Sequence, residues 1–166
     1  MTTHLILVIY IIVARLAELN ISHIHTRRLV AMGGYEVGGS HYPIIVLVHL
    51  SWVIAIVFLI PTDTPGSSYF LLPFLCVQVC RYWVISSLGK RWTTRIIVMP
   101  EVPLVKRGPY RWLRHPNYVV VAAEIALLPL IFGAWEIALG FSIANAAILI
   151  HRIRVEETAL SMHKFG

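Results

Sequence analysis

Residues 44–60 read IIVLVHLSWVIAIVFLI, an apolar run without a single Asp, Glu, Lys or Arg. A bilayer core takes roughly 20 such residues as one helix, so this run is a membrane span. Four further stretches of the same character lie outward from it, at 5–19, 69–88, 118–132 and 137–150. Hydrophobic residues make up 58% of the 166 and charged residues only 13%, with a mean hydropathy of +0.75. These values belong to membrane proteins. The expected architecture is all-α and integral to the membrane, with about five transmembrane helices. The last two stretches are short for full spans. Pro129 and the Gly133-Ala134-Trp135-Glu136 turn predict that they form a tight or tilted C-terminal hairpin. The first stretch lacks a basic flank before it and a small-residue cleavage site after it, and reads as a retained helix rather than a signal peptide.

The formal net charge is +6, and its distribution argues against nucleic acid as a partner. Arg27 and Arg28 follow the first stretch. Lys90, Arg91, Arg95, Lys106, Arg107, Arg111 and Arg114 follow the third, and Arg152, Arg154 and Lys164 follow the fifth. If five helices alternate, all of these fall on one face, while the opposite loops carry only Asp63 and Glu136. The positive-inside rule then places the N-terminus outside and the C-terminus in the cytoplasm. An even number of crossings would split the basic residues between both faces.

The polar segment 89–117 contains Pro100, Pro103 and Pro109 and is expected as a broken connection lying on the membrane surface. The other connection on that face, 22–43, holds GGYEVGGSHYP and reads as a flexible turn, since it lacks the Lys-Ser or Lys-Thr of a phosphate loop. Cys76 and Cys80, four apart in an apolar stretch, are expected as small core residues. The eight histidines show no paired ligand spacing, so no metal site is expected.

Ionisable residues inside membrane helices are expensive and are functional candidates by default. Arg15 and Glu18 lie three apart on one face and either pair structurally or meet a substrate. Arg81, two turns before the end of its stretch, is expected to snorkel to the interface. Glu124 is expected to point into a protein pocket, because a lone carboxylate in lipid must be protonated or paired. Asn145, Leu149, Arg152 and Glu156 recur at helical spacing, a stripe running from the apolar bundle into a charged mouth. If Asn145 faces Glu124, the two make a polar cleft open to the cytoplasm; the alternative is that Asn145 only glues two helices together.

The run KRGPYRWLRHPNY at 106–118, an apolar hairpin, and RIRVEETAL at 152–160 together resemble the isoprenylcysteine carboxyl methyltransferase family. The resemblance implies one domain over 1–166, with three N-terminal helices (1–88), a cytoplasmic connection (89–117) and a cofactor-binding hairpin and tail (118–166). It implies S-adenosylmethionine as the cofactor, in a pocket that His115, Pro116 and Tyr118 begin and that Arg152, Glu156 and Glu157 close. Asn145 joins this set from its place on the stripe. Basic donors, acidic acceptors and apolar walls suit such a molecule. Arg114 or His115 would hold its carboxylate, and Glu156 or Glu157 its ammonium or ribose. Many family members continue through a Phe-Gly and two tyrosines, whereas this sequence stops at Phe165-Gly166.

RLAEL at 15–19, GGYEVGGSHYP with LVHLSW, and SLGKRWTTR at 87–95 look like a bacterial branch that O-methylates alkylpyrones and alkylresorcinols. This implies a hydrophobic, lipid-like substrate entering sideways from the bilayer of a bacterial cytoplasmic membrane, with the active site facing the cytoplasm. A phenol, with a pKa near 10, needs deprotonation or a nearby cation. Arg91, Arg95 or Arg15 would supply the field and Glu124 the base, and the sequence does not rank them. The alternatives are carboxyl methylation of isoprenylcysteine, a small transporter, for which no internal repeat is visible, and a structural subunit. The sequence leaves the oligomeric state open.

Overall fold

The computed structural model describes residues 2–100 and 102–162. It is helical apart from one short ribbon: α1 (Thr3–Ala31), β1 (Tyr35–Val37), α2 (Tyr42–Leu59), α3 (Ser68–Leu88), β2 (Ile96–Val98), α4 (Pro116–Ile131) and α5 (Trp135–Met162). Four segments, α1, Gly39–Leu59, Ser68–Arg91 and Trp135–Ser161, are long and apolar enough to cross a membrane. The 16-residue α4 is shorter and reaches about 24 Å at 1.5 Å per residue. The fifth helix carries the Asn145–Glu156 stripe out beyond its apolar residues, as the spacing predicts. It runs for 28 residues, well beyond its apolar stretch, because the Arg152–Leu160 segment contains no helix breaker. The α4–α5 turn closes on Gly133 at φ +71°, whose amide donates to the Leu130 carbonyl while that of Ala134 donates to Pro129. A left-handed residue is what such a helix ending requires.

One end of the bundle is apolar inside. Ile11, Trp52, Ile56, Phe74, Ile125, Leu128 and Ile131 are at most 1% exposed and pack where α1 and α3 begin and α4 ends. The outer surface is equally apolar, with Leu16, Phe58, Leu72 and Val79 exposed, as suits contact with acyl chains. Cys76 and Cys80 belong to that outer surface and not to the core. Their face of α3 is opposite the one carrying Phe74, Gln78 and Arg81, which the neighbouring helices cover.

At the other end the two long connections meet. β1 and β2 pair antiparallel in the register Tyr35↔Val98, Glu36↔Ile97 and Val37↔Ile96. The glycine-rich run is therefore a folded strand edge rather than a flexible turn. Ile96 and Val98 pack with Ala159 of α5, and Val37 and Val155 border them. Gly38, at φ +67°, passes so close to α5 that an added Cβ would lie 3.0 Å from Val155 Cγ1 and 2.1 Å from His41 Cε1. The ends of α1, α3 and α5 and the start of α4 are thereby gathered at one end of the bundle. Of the basic residues assigned to that face, Lys164 lies outside the described residues, as does the Phe165-Gly166 end.

Candidate active site

α4 begins at Pro116, which lacks the N–H that a first helical turn leaves unpaired and whose ring presets the helical φ. This fixes His115 just before the helix and Tyr118 in its first turn. The two rings stack at 5.4 Å with planes 13° apart. Opposite them α5, continuing past its apolar part, presents Arg152 and Glu156 four residues apart on one face, with Glu157 beside them. The Tyr118 hydroxyl donates to Glu156 Oε2 at 2.6 Å and accepts from Arg152 Nε at 2.8 Å. His115 Nδ1 lies 3.5 Å from Glu156 Oε2, and its Nε2 lies 3.5 Å from Glu157 Oε1. The second contact is an ion-pair distance without hydrogen-bond geometry, so Nε2 is buried and unpartnered. Arg114 reaches Glu157 at 3.3 Å from an exposed position. The Glu156 carboxylate beside Nδ1 raises the His115 pKa above that of a free imidazole, and burial opposes the rise without cancelling it. The cluster thus holds two arginines, an imidazole that readily takes a proton, two carboxylates and an aromatic face at one mouth.

A second cluster lies deeper. Arg81, with its side chain 4% exposed, forks onto Glu18 with Nε and Nη2 each 2.5 Å from a carboxylate oxygen. Its Nη1 donates to Glu124 Oε2 at 3.0 Å. Arg15 donates to Glu18 at 2.8 Å and also to Glu124. Gln78 Nε2 donates to Glu124 Oε1 at 3.1 Å, while Gln78 Oε1 accepts from the Tyr10 hydroxyl at 2.9 Å. Two arginines and two glutamates close a neutral network linking α1, α3 and α4. Arg81 therefore does not snorkel. Leaving would make the two carboxylates share Arg15 alone, with one negative charge uncompensated in a low-dielectric interior, where it costs several kcal/mol.

Both Glu124 oxygens are engaged from α1 and α3, and among the described residues no hydrogen bond joins Glu124 to Asn145. Asn145 is buried at 2% exposure within α5. Arg15 and Glu124 come together, whereas Arg95 stands apart at the ribbon, paired with Glu36 at 2.7 Å and stacked 4.3 Å over the Tyr42 ring. Arg91 is elsewhere again, donating to the Pro103 carbonyl. An apolar groove of about 440 Å³ runs along α1 beside Ile9, Val13, Ala14 and Ala17, bordered by Tyr10 and Tyr82.

The sequence did not single out Thr94, whose carbonyl accepts from Arg152 Nη2 at 2.5 Å, nor Gln78, Tyr10 and Tyr42. Neutral amides and hydroxyls carry no spacing signal until their partners on other helices are known. The one available hint was Gln78, a polar residue three before Arg81 in an apolar stretch.

The model of the Isoprenylcysteine carboxyl methyltransferase (ICMT) family matches residues 69–162, which takes in α3 to α5 and everything between them. The chain is 40% identical over 159 residues to uncharacterized protein YpbQ of Bacillus subtilis, covering 93% of this chain and 95% of that protein. An uncharacterized protein of Haemophilus influenzae is 27% identical over 158 residues, 91% of each chain. No solved structure matches. A match over more than half of the chain, on the helices that build the Tyr118–Glu156 mouth, decides the assignment: this integral membrane protein belongs to the isoprenylcysteine carboxyl methyltransferase family, whose methyltransferases use S-adenosylmethionine.

Proposed function

We propose that the protein methylates an oxygen of a membrane-embedded lipid of the alkylpyrone or alkylresorcinol kind, using S-adenosylmethionine bound at the cytoplasmic mouth of α4 and α5. The observation that carries this reading is the meeting of His115 with Glu156 and Glu157 at 3.5 Å, from two segments some forty residues apart in a chain of this family. The residues present fit the cofactor. His115 Nε2 is buried without a hydrogen-bond partner, Arg114 and Arg152 offer donors for its carboxylate, and Glu156 and Glu157 offer acceptors for its ammonium and ribose hydroxyls. When bound, the cofactor supplies a methyl group on a positively charged sulfonium, and transfer to a lipid oxygen leaves S-adenosylhomocysteine.

The chain's own contribution is alignment and exclusion of water. Pro116 and Tyr118 shape the wall of the pocket, and Asn145 continues it into the bundle. Arg15 keeps one buried N–H, Nε, without a partner, and that donor stabilises an ionised acceptor oxygen. Glu124 acts as the counter-charge holding Arg15, since both of its oxygens already accept hydrogen bonds. Arg95 provides positive potential at the ribbon side of the mouth. The substrate's tail stays among the helices and enters from the bilayer. On this reading the five helices cross in alternation with the N-terminus outside, and the mouth opens to the cytoplasm of a bacterial cell.

Incubating the purified protein with methyl-labelled cofactor and a bacterial lipid extract tests the reading. Label is expected in a lipid carrying a new methyl ether. Label on a prenylated cysteine peptide alone would replace the lipid substrate with an isoprenylcysteine carboxylate.

A further inference from the structure

Arg152 is held from two sides. Its Nε reaches the Tyr118 hydroxyl within the mouth, and its Nη2 reaches the backbone carbonyl of Thr94 at 2.5 Å on the far side. Thr94 lies between α3 and β2, and its placement comes from helices that the family match does not cover. Its amide donates to Ser22 Oγ of α1 at 2.8 Å, and its hydroxyl lies 2.8 Å from Ser22 Oγ and 3.0 Å from the Tyr42 hydroxyl of α2. Two residues earlier, the Trp92 carbonyl accepts from His25 Nδ1 at 2.8 Å. Ser22 is 3% exposed, Trp92 2% and Arg152 7%, while Thr94 and Tyr42 are half-buried.

We infer that Ser22 is a positioning residue for cofactor binding: through Thr94 it fixes Arg152, so that α1 and α2 complete a mouth otherwise built by α4 and α5. The physical reason is the geometry of one residue. Ser22 Oγ holds both the amide and the side-chain oxygen of Thr94, which anchors the Cα from which the carbonyl of the next peptide unit reaches Arg152. That carbonyl holds one end of the guanidinium whose other end meets Tyr118. Without Ser22 Oγ the Thr94 amide loses its acceptor on the buried side of the link, a loss that shifts the backbone toward another partner. Arg152 then has one fixed end and a free one. A planar guanidinium discriminates by orientation, so its affinity for a carboxylate depends on that second anchor.

The inference rests on the cofactor reading above, and its test separates the two. S-adenosylhomocysteine affinity is measured by calorimetry for the wild-type protein, Ser22→Ala, Ser22→Thr and Tyr42→Phe, with melting temperatures alongside. Ser22→Ala is expected to weaken binding roughly three- to tenfold, and Ser22→Thr, which keeps the hydroxyl, to restore it. In an Arg152→Gln background, or Arg152→Lys if binding is otherwise too weak to measure, Ser22→Ala is expected to have less than about a twofold effect, since coupled residues are not additive. Full additivity with Arg152, or an unchanged affinity in Ser22→Ala, would overturn the role of Ser22 alone. Absence of binding by the wild-type protein would overturn the cofactor reading and this inference with it. If Ser22→Ala does not fold, Tyr42→Phe carries the same cycle with the same expected signs.

Discussion

The Tyr118 hydroxyl donates to the Glu156 carboxylate at 2.6 Å, joining the first turn of α4 to a turn of α5 that lies beyond its apolar stretch. The same hydroxyl accepts from Arg152 at 2.8 Å, so one oxygen sets the positions of an acid and a base. Tyr118→Phe keeps the ring that stacks on His115 and removes only this bridge. S-adenosylhomocysteine affinity is expected to fall about tenfold, or about 1.4 kcal/mol, with little change in melting temperature. Unaltered affinity in calorimetry would show that the bridge does not organise the mouth.

His115 makes the stability of this end depend on pH. Its pKa is raised in the folded protein, chiefly by the Glu156 carboxylate beside Nδ1, with Glu157 adding to it. A group whose folded pKa exceeds its unfolded value, near 6.5 for histidine, gives its full stabilisation below that value and loses it as pH rises through the folded pKa. The wild-type melting temperature is therefore expected to fall relative to that of His115→Gln as pH increases from 6 to 9. Parallel curves would remove His115 from the charge balance of the mouth.

Arg81 tests the deeper network. Arg81→Met leaves Glu18 and Glu124 sharing Arg15, and breaking a buried ion network in this way typically costs about 3–5 kcal/mol. Arg81→Met combined with Glu18→Met keeps the charges balanced and is expected to recover most of that loss. Unfolding in mixed detergent micelles measures both. A neutral single variant would mean that the network does not hold α1 and α3 to α4.

The sequence was most informative where chemistry follows helical spacing. Arg152 and Glu156 share a face because they are four apart, whereas their meeting with the segment from Arg114 to Tyr118 followed only from the family resemblance. The apolar stretches marked every long helix, and the polar stripe from Asn145 to Glu156 marked the part of α5 that continues beyond Ile150. The β1–β2 ribbon escaped notice for a different reason. Each strand has three residues and its partner lies about sixty residues away, so neither shows a usable period. Arg81 was misplaced because snorkelling was weighed from its distance to the helix end, whereas two carboxylates on other helices decide where it goes. Cys76 and Cys80 were assigned to the core by residue type, although in a membrane both faces of a helix are apolar and type does not tell inside from outside. Thr94 and Ser22 became visible only once α1 lay against the segment after α3.

Calorimetric titration of the purified wild-type protein with S-adenosylhomocysteine, repeated with Glu156→Gln, is the most direct test. Saturable binding at one site per chain is expected, weakened by roughly tenfold or more in the variant. A wild-type protein that gives no saturable heat, or a variant that binds as tightly as the parent, would contradict a cofactor site formed by the start of α4 and the end of α5.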